Sequence, residues 1–163
     1  MILFFQIIFA LCLFGIFQTY IFYPLFMILF SKIKNWKIED DLREYPNVEI
    51  IFAAYNEESV IEKKIHSCFN SNYPKEKISL RIGSDNSTDA SETIIQKLQG
   101  HYPNLNLKSF KSRTGKSGII NDLVKESKAE ILILTDANII FKANTIEELI
   151  RPLNNKVGAV GGR

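Results

Sequence analysis

No charged side chain occurs between Met1 and Ser31, which excludes an ordinary soluble N-terminus. Cysteine is nearly absent too: Cys12 lies inside that apolar run and Cys68 well beyond it. Two thiols so placed exclude a disulfide framework. Charge is almost balanced, with a net +2 over 163 residues, too little for a surface built to hold nucleic acid. No segment repeats another and none is of low complexity, so a repeat architecture is excluded as well. The length suits one domain of ordinary size with a real core.

Hydrophobic residues make up 46% of the chain, and they are unevenly spread. The run "MILFFQIIFALCLFGIFQTYIFYPLFMILFS" reads as a membrane-spanning helix. At ~1.5 Å per residue it would extend roughly 46 Å, against a hydrocarbon core of about 30 Å. The run must therefore tilt, kink or surface before it ends. Tyr20, Tyr23 and Pro24 mark the place, because aromatic rings favour the interface and proline breaks the helical ladder. We expect a span near Ile2 to Tyr23, with Pro24 to Phe30 either continuing obliquely or lying in the interface. A cleaved signal peptide would need a basic leading region and a small-x-small cleavage pattern, and neither is present. Lys32, Lys34 and Lys37 follow the span directly. By the positive-inside rule they keep the downstream part in the cytoplasm and the single span in the cell (inner) membrane; Glu39, Asp40 and Asp41 weigh little in that rule. The expected organisation is an anchor over 1–31, a juxtamembrane linker over 32–47 and a soluble domain over 48–163.

From Val48 onward, strand-like runs alternate with helical patterns. "VEIIFAA" (Val48–Ala54), "ISLRIG" (Ile78–Gly83), "LNLKSF" (Leu105–Phe110) and "EILILT" (Glu130–Thr135) are the strands, the last apolar enough for a central parallel position. Between them, "SVIEKKIHSCF" spaces Ile61, Ile65 and Phe69 four apart, a helical stripe. "DASETIIQKL" carries a capping-box pattern in Asp89 and Glu92 and turns Ile94, Ile95 and Leu98 inward. "KSGIINDLVKESK" buries Ile119, Ile120, Leu123 and Val124. "NTIEELIRPL" is a helix capped by Asn144 with Glu147 three on, and "VGAVGG" begins a fifth strand. The fold class is therefore α/β, a mostly parallel sheet with right-handed crossovers and flanking helices.

The segment "KSRTGKSGIIND" contains Gly-Lys-Ser before an apolar run, as in the phosphate loop of an NTPase. Such a loop needs G-x-x-x-x-G-K-[ST] directly after the first strand. Five residues before Gly115 stands Phe110, and the segment follows the third strand, so the NTPase reading fails. Lys116 still sits near a helix N-terminus, where free amides and the dipole attract phosphate; the plain alternative is a solvated surface lysine. In open parallel sheets, ligands bind beyond the carboxyl ends of the strands. Those ends read "AAYNEE", "SDNSTD", "SRTGK" and "TDAN". Asp136 and Asn138, two apart on extended chain, point to one side and suit a hard cation such as Mg²⁺ or Mn²⁺; the plain alternative for "TDAN" is a cap or turn. Asp89 is explained by capping alone.

The segments "VEIIFAAYNEESVIEKKIHSCFNSNYP", "GSDNSTDAS", "RTGKSGIIN" and "EILILTDANIIF…VGAVGGR" resemble the processive, membrane-bound family 2 glycosyltransferases, relatives of the cellulose, hyaluronan and poly-N-acetylglucosamine synthases. The resemblance covers nearly everything from Val48 to Arg163, with four motifs in order. It implies a GT-A fold, a nucleotide-sugar donor (usually a UDP-sugar), a glycan or lipid-linked acceptor, and a divalent metal under the diphosphate. Carried onto this chain, it puts Ala54, Tyr55 and Glu57 in the uridine and ribose pocket. Asp85 would accept from the base, Lys116 would contact the diphosphate, and Asp136 with Asn138 would stand where the family's Asp-x-Asp holds metal and donor.

Three residues depart from the family's pattern. Ala53 stands where proline is usual, Asn86 where glycine is usual, and Asn138 in place of a second aspartate. Asparagine tolerates positive φ, so the turn at 86 survives. Asn138 removes one negative charge from the metal site. The family's general base and its Gln-x-x-Arg-Trp motif are expected beyond Arg163. This chain is thus expected to hold the donor half of the site, with the C-terminal part of the domain missing and little activity alone. Two other classes stay open: a tethered module that binds nucleotide-sugar without turnover, and a nucleotidyltransferase. The latter wants a glycine-rich loop after the first strand, and "AAYNEES" has no glycine.

Overall fold

A computed structural model describes residues 1–31, 44–154 and 157–162. Lys32, Lys34 and Lys37, on which the expected orientation rests, lie outside the described residues, as do most of the expected linker and Arg163. The chain divides into two compact units, Met1–Ile38 and Glu39–Arg163.

In the first unit, α1 (Ile2–Phe17) passes through a π-helical turn (Gln18–Phe22) into α2 (Tyr23–Ser31). The 30 residues from Ile2 to Ser31 thus run as one helix, with a mean hydropathy of 2.2 in its most apolar stretch. Pro24 explains the π turn. It offers no amide hydrogen to Tyr20, and its ring crowds that carbonyl, so the ladder widens just ahead of it. There the Tyr23 amide donates to the Gln18 carbonyl, five residues back. The helix is apolar on every side, with Phe4, Leu11 and Leu29 all exposed. Such a surface belongs inside a protein core or a bilayer. At ~1.5 Å per residue, this helix is long enough to cross about 30 Å of hydrocarbon even when tilted.

The second unit is built on four parallel strands, β1 (Val48–Ala54), β2 (Ile78–Ser84), β3 (Leu105–Ser109) and β4 (Ile131–Leu134), in the order β3-β2-β1-β4. Among the described residues, four α-helices accompany them: α3 (Ile61–Phe69), α4 (Ser91–Gln99), α5 (Lys116–Glu126) and α6 (Thr145–Ile150). β1 is an inner strand buried on both faces, which is why it is apolar throughout except at Glu49, whose carboxylate accepts from Arg81 Nε at 3.0 Å. Val48, Ile50, Phe52 and Ala54 join Ile61, Ile65, Ile82, Ile95 and Ile146 in the larger core. Ile51 faces the other way and packs under Ile119 and Leu123 of α5.

Three expectations need correction. The fourth strand is an edge of this sheet and not a central one, and its Leu132 and Leu134 are exposed. On that face the α5 cluster gathers Ile51, Ala53, Phe110, Ile119 and Leu123, and neither β4 leucine joins it. The fifth strand does not form among the described residues. Val157 makes only an isolated antiparallel bridge with Asn154, and the glycines at 158, 161 and 162 bring no side chains to a ladder. The capping box does not form: Ala90 is the N-cap, Asp89 Oδ1 accepts from the Ser91 amide at 3.0 Å, and the Glu92 carboxylate accepts from Ser109 Oγ at 2.9 Å.

Candidate active site

β2 and β3 lie to one side of β1 and β4 to the other, so the chain reverses direction of travel across the sheet between β1 and β4. A crevice opens at such a switch point, outside the carboxyl ends of the strands. The register defines its rim. Ala54, Ser84 and Ser109 stand level, whereas β4 leaves the ladder at Leu134, opposite Ile51. The loop after β4 therefore begins lower than its neighbours, beside the middle of β1, where the Thr135 amide donates to the Ile51 carbonyl. Gly83 sets the position of α5. A Cβ there would come within 2.2 Å of Ile119 Cγ2, so only glycine lets α5 sit this close to β2.

Asp85, directly after β2, organises the loop that leads into α5. Its carboxylate is almost fully buried and accepts from the Thr114 amide at 2.6 Å, the Gly115 amide at 3.2 Å and Arg113 Nε at 3.1 Å. The Thr114 amide above all, against the cost of burial, holds the carboxyl below the usual carboxylate range; the Gly115 amide and Arg113 add to it. Gly115 caps α5 at φ +80°, a backbone state that favours glycine, and this turn lets its amide reach Asp85. Asp85 is thus engaged with the protein's own donors. Arg113 then lies over the ring of Tyr55 with its guanidinium carbon 3.5 Å from the ring centre, a cation–π stack on the rim.

The loops after β1 and β2 are laced together. Asn56, at φ 53°, accepts from the Thr88 amide at 2.9 Å and donates its own amide to Ser87 Oγ at 3.2 Å. The Glu58 amide donates to Asp89 Oδ2, and Glu58 Oε2 accepts from the Ala90 amide, both at 3.0 Å. Burial works against ionisation of Asp89, yet the hydrogen bonds from Ser91 and Glu58 outweigh it and keep the carboxyl below its usual range. Asn86 takes φ 59°, the positive value its place in the turn demands. Of the three β1-loop residues singled out in the sequence, Tyr55 is exposed on the rim. Glu57 is half-buried and donates its amide to Ser91 Oγ at 2.8 Å. Ala54 is buried in the larger core, where its carbonyl accepts from the Asp85 amide at 2.9 Å.

Beyond the strand ends, Lys116 Nζ on the first turn of α5 forms an ion pair with Asp136 Oδ1, just after β4. Both side chains are more than half exposed, so the pair lies open to a ligand. Asn138 is exposed two residues on. Among the described residues, no three His, Cys, Asp or Glu side chains gather into a ligand set. Asp136 and Asn138 supply one carboxylate and one amide oxygen. A hard divalent cation takes so few protein ligands when phosphate oxygens and water fill its shell. The two residues therefore fit as partners of such an ion, not as a cage for it. Asp85, Lys116 and Asp136 are brought to one rim, linked through Gly115 and the ion pair.

Two participants escaped the sequence reading. Arg113 stood in the quoted "RTGK" without a role, and nothing local shows that it would reach back to Asp85 and Tyr55. Lys64 was visible in principle. It interrupts the apolar stripe of α3 between Ile61, Ile65 and Cys68, the face that a lysine normally avoids.

The fold agrees with what the chain is similar to. The model of a family described as "Glycosyl transferase family 2" matches residues 49–163. A β-monoglucosyldiacylglycerol synthase of Synechocystis is 33% identical over 109 residues, 66% of this chain and 22% of that protein. The mannosyltransferase PcManGT from Pyrobaculum calidifontis, solved in complex with GDP-Man and Mn²⁺, superposes with a TM-score of 0.73 at 24% identity. That match covers 85% of this chain and 42% of that one. TarS 1-349 of S. aureus, solved with UDP-GlcNAc, gives a TM-score of 0.56 at 22% identity, covering 63% of this chain and 29% of that one. At these identities the structural matches establish the GT-A fold. The chain spans less than half the length of each of these proteins.

Proposed function

The chain belongs to glycosyl transferase family 2, and from that premise we propose that its rim holds a nucleoside-diphosphate sugar, whose sugar is transferred with inversion to a glycan or lipid-linked acceptor. One observation carries this reading: Lys116 and Asp136 meet across the switch point, beside the loop that Asp85 clasps. In an inverting transfer, negative charge grows on the departing diphosphate as the bond to the anomeric carbon breaks. A fixed cation next to it stabilises that change more than it stabilises the bound donor. Lys116 is that cation, and the free amides at the start of α5 add the positive end of the helix. Asp136, with Asn138, would partner a divalent ion, Mg²⁺ or Mn²⁺, which supplies further charge neutralisation on the diphosphate when bound. Tyr55 under Arg113 forms a flat surface for the nucleobase, and Glu57 borders the ribose. Asp85 acts through the Arg113–Gly115 loop that it holds. No acceptor-side base is assigned among these residues.

The donor nucleotide is read as a uridine diphosphate on the sequence resemblance. The solved relatives support a nucleotide sugar in general, since one holds GDP-Man and the other UDP-GlcNAc. Membrane attachment belongs to the same proposal. The Ile2–Ser31 helix supplies a single span of the inner membrane, and Lys32, Lys34 and Lys37 place the domain on the cytoplasmic side. Isothermal titration of the detergent-solubilised chain with UDP and with GDP tests the site. UDP is expected to bind, and to need Mn²⁺ or Mg²⁺. Binding of equal strength in a metal-free buffer would remove Asp136 from its role, and no binding of either nucleotide would overturn the function.

A further inference from the structure

Lys64 is fully buried, in the middle of α3. Burial lowers the pKa of its ammonium; Cys68 and Asp136 pull it part of the way back up. A buried lysine usually contributes less stability than an apolar side chain of the same volume would, so packing does not account for it. Its partners do. Nζ donates to Thr135 Oγ1 at 3.2 Å and to the Ile139 carbonyl at 2.5 Å, and faces the ring of Phe141 at 3.8 Å. Thr135 and Ile139 are the residues that flank Asp136, Ala137 and Asn138. One turn further along the same face of α3, Ser67 Oγ accepts from the Phe141 amide at 3.1 Å. The helix thus grips both ends of the turn and, two residues beyond it, Phe141.

We propose that Lys64 is a positioning residue for the donor site, fixing the Asp136–Asn138 turn by bonding both of its ends through one ammonium. This rests on the proposed function, because it gives the turn's geometry a purpose. The turn itself contributes only the weak Ile139 amide to Asp136 carbonyl bond at 3.2 Å. Asp136 and Asn138 are exposed, and Asp136 is held on its outer side by the Lys116 ion pair; the single buried residue between them is Ala137. A three-donor cation reaches two acceptors and an aromatic face at once, which no apolar residue of the same length can do.

The test uses Lys64→Met in the full chain in detergent, since methionine keeps much of the stem and removes the donors. Amide hydrogen exchange, melting temperature and titration with UDP in the presence of Mn²⁺ are read together. Exchange over 136–141 should accelerate at least severalfold, while the strands keep wild-type protection and the melting temperature holds or rises. Affinity for UDP with Mn²⁺ should fall about tenfold, the scale of a lost charged hydrogen bond. Unchanged local exchange with unchanged affinity overturns the proposal, and so does acceleration spread evenly over β1, β2 and β3. Should Lys64→Met fail to fold, Thr135→Val decides: it removes one acceptor and should cost about threefold in affinity, and no change overturns the idea. A wild-type chain that takes up neither UDP nor GDP would defeat the proposed function, while the exchange profile would still decide whether Lys64 tethers the turn.

Discussion

Replacing Asp85 by asparagine tests the loop that carries Lys116 to the rim. The carboxylate accepts from two backbone amides, at 2.6 and 3.2 Å, and from Arg113 Nε at 3.1 Å. An asparagine keeps one acceptor oxygen and turns an NH₂ group toward donors. Hydrogen bonds to a charged group contribute about 1.5–3 kcal/mol each. The Arg113 side chain is 54% exposed, so its share is discounted to roughly 0–1 kcal/mol. One backbone bond lost and the other deprived of its charge give a destabilisation of about 3 kcal/mol. For a domain of this size that is a fall in melting temperature of roughly 10 °C. Thermal melts followed by circular dichroism at pH 7 read it directly. Acidity supplies the internal control. The folded pKa of Asp85 is depressed, so its stabilisation is complete above the ordinary carboxylate value near ~3.9 and is lost as pH falls through the folded value. The gap between wild type and Asp85→Asn should therefore narrow in strong acid. Melts that differ by less than about 2 °C at pH 7 would refute the reasoning.

Other perturbations test the remaining parts. Gly83→Ala pushes a Cβ to within 2.2 Å of Ile119 Cγ2 and should cost about 1–3 kcal/mol by displacing α5. Urea denaturation measures it, and Ile119→Ala should partly rescue the double variant. Lys116→Ala should weaken UDP by roughly 1.5–3 kcal/mol in titration; an unchanged affinity would make it an ordinary surface lysine. Deleting residues 2–31 should release the protein from carbonate-washed membranes, and retention in the pellet would argue against the anchor.

Much of the fold was legible because inner parallel strands are written largely in apolar residues, broken in β1 by Glu49 and in β2 by Arg81. β1 begins and ends as the residues predict, and the stripe of Ile61, Ile65 and Phe69 lies on α3 as expected. The edge position of β4 was not legible, since its four apolar residues look the same whether or not a helix covers them. The final Val-Gly-Ala-Val-Gly-Gly was misread because valines signal a strand locally, while a strand forms only where a neighbouring ladder accepts it. At the site, residue types and order sufficed to bring Asp85, Lys116 and Asp136 to one rim. What escaped was side-chain direction. Asp85 turns to the Thr114 and Gly115 amides, Arg113 folds back over Tyr55, and Lys64 points inward to Thr135 and Ile139. The first two choices depend on loop geometry between elements, to which periodicity is blind; Lys64 was marked by periodicity alone, as a lysine on the buried stripe of α3, but its partners were not.

The central claim is that one diphosphate and its cation sit among the tips of the strands, between Lys116 and Asp136. Paramagnetic broadening by Mn²⁺ in the isotopically labelled chain with UDP locates the ion directly. The strands are about 20 Å long, so the two ends of the sheet are well separated on the scale of the effect. The amide resonances of Lys116, Asp136 and Asn138 should vanish, while those of Val48, Ile78 and Leu105 at the opposite strand ends stay sharp. Broadening centred on Val48 and Ile78, with Asp136 untouched, would contradict the account.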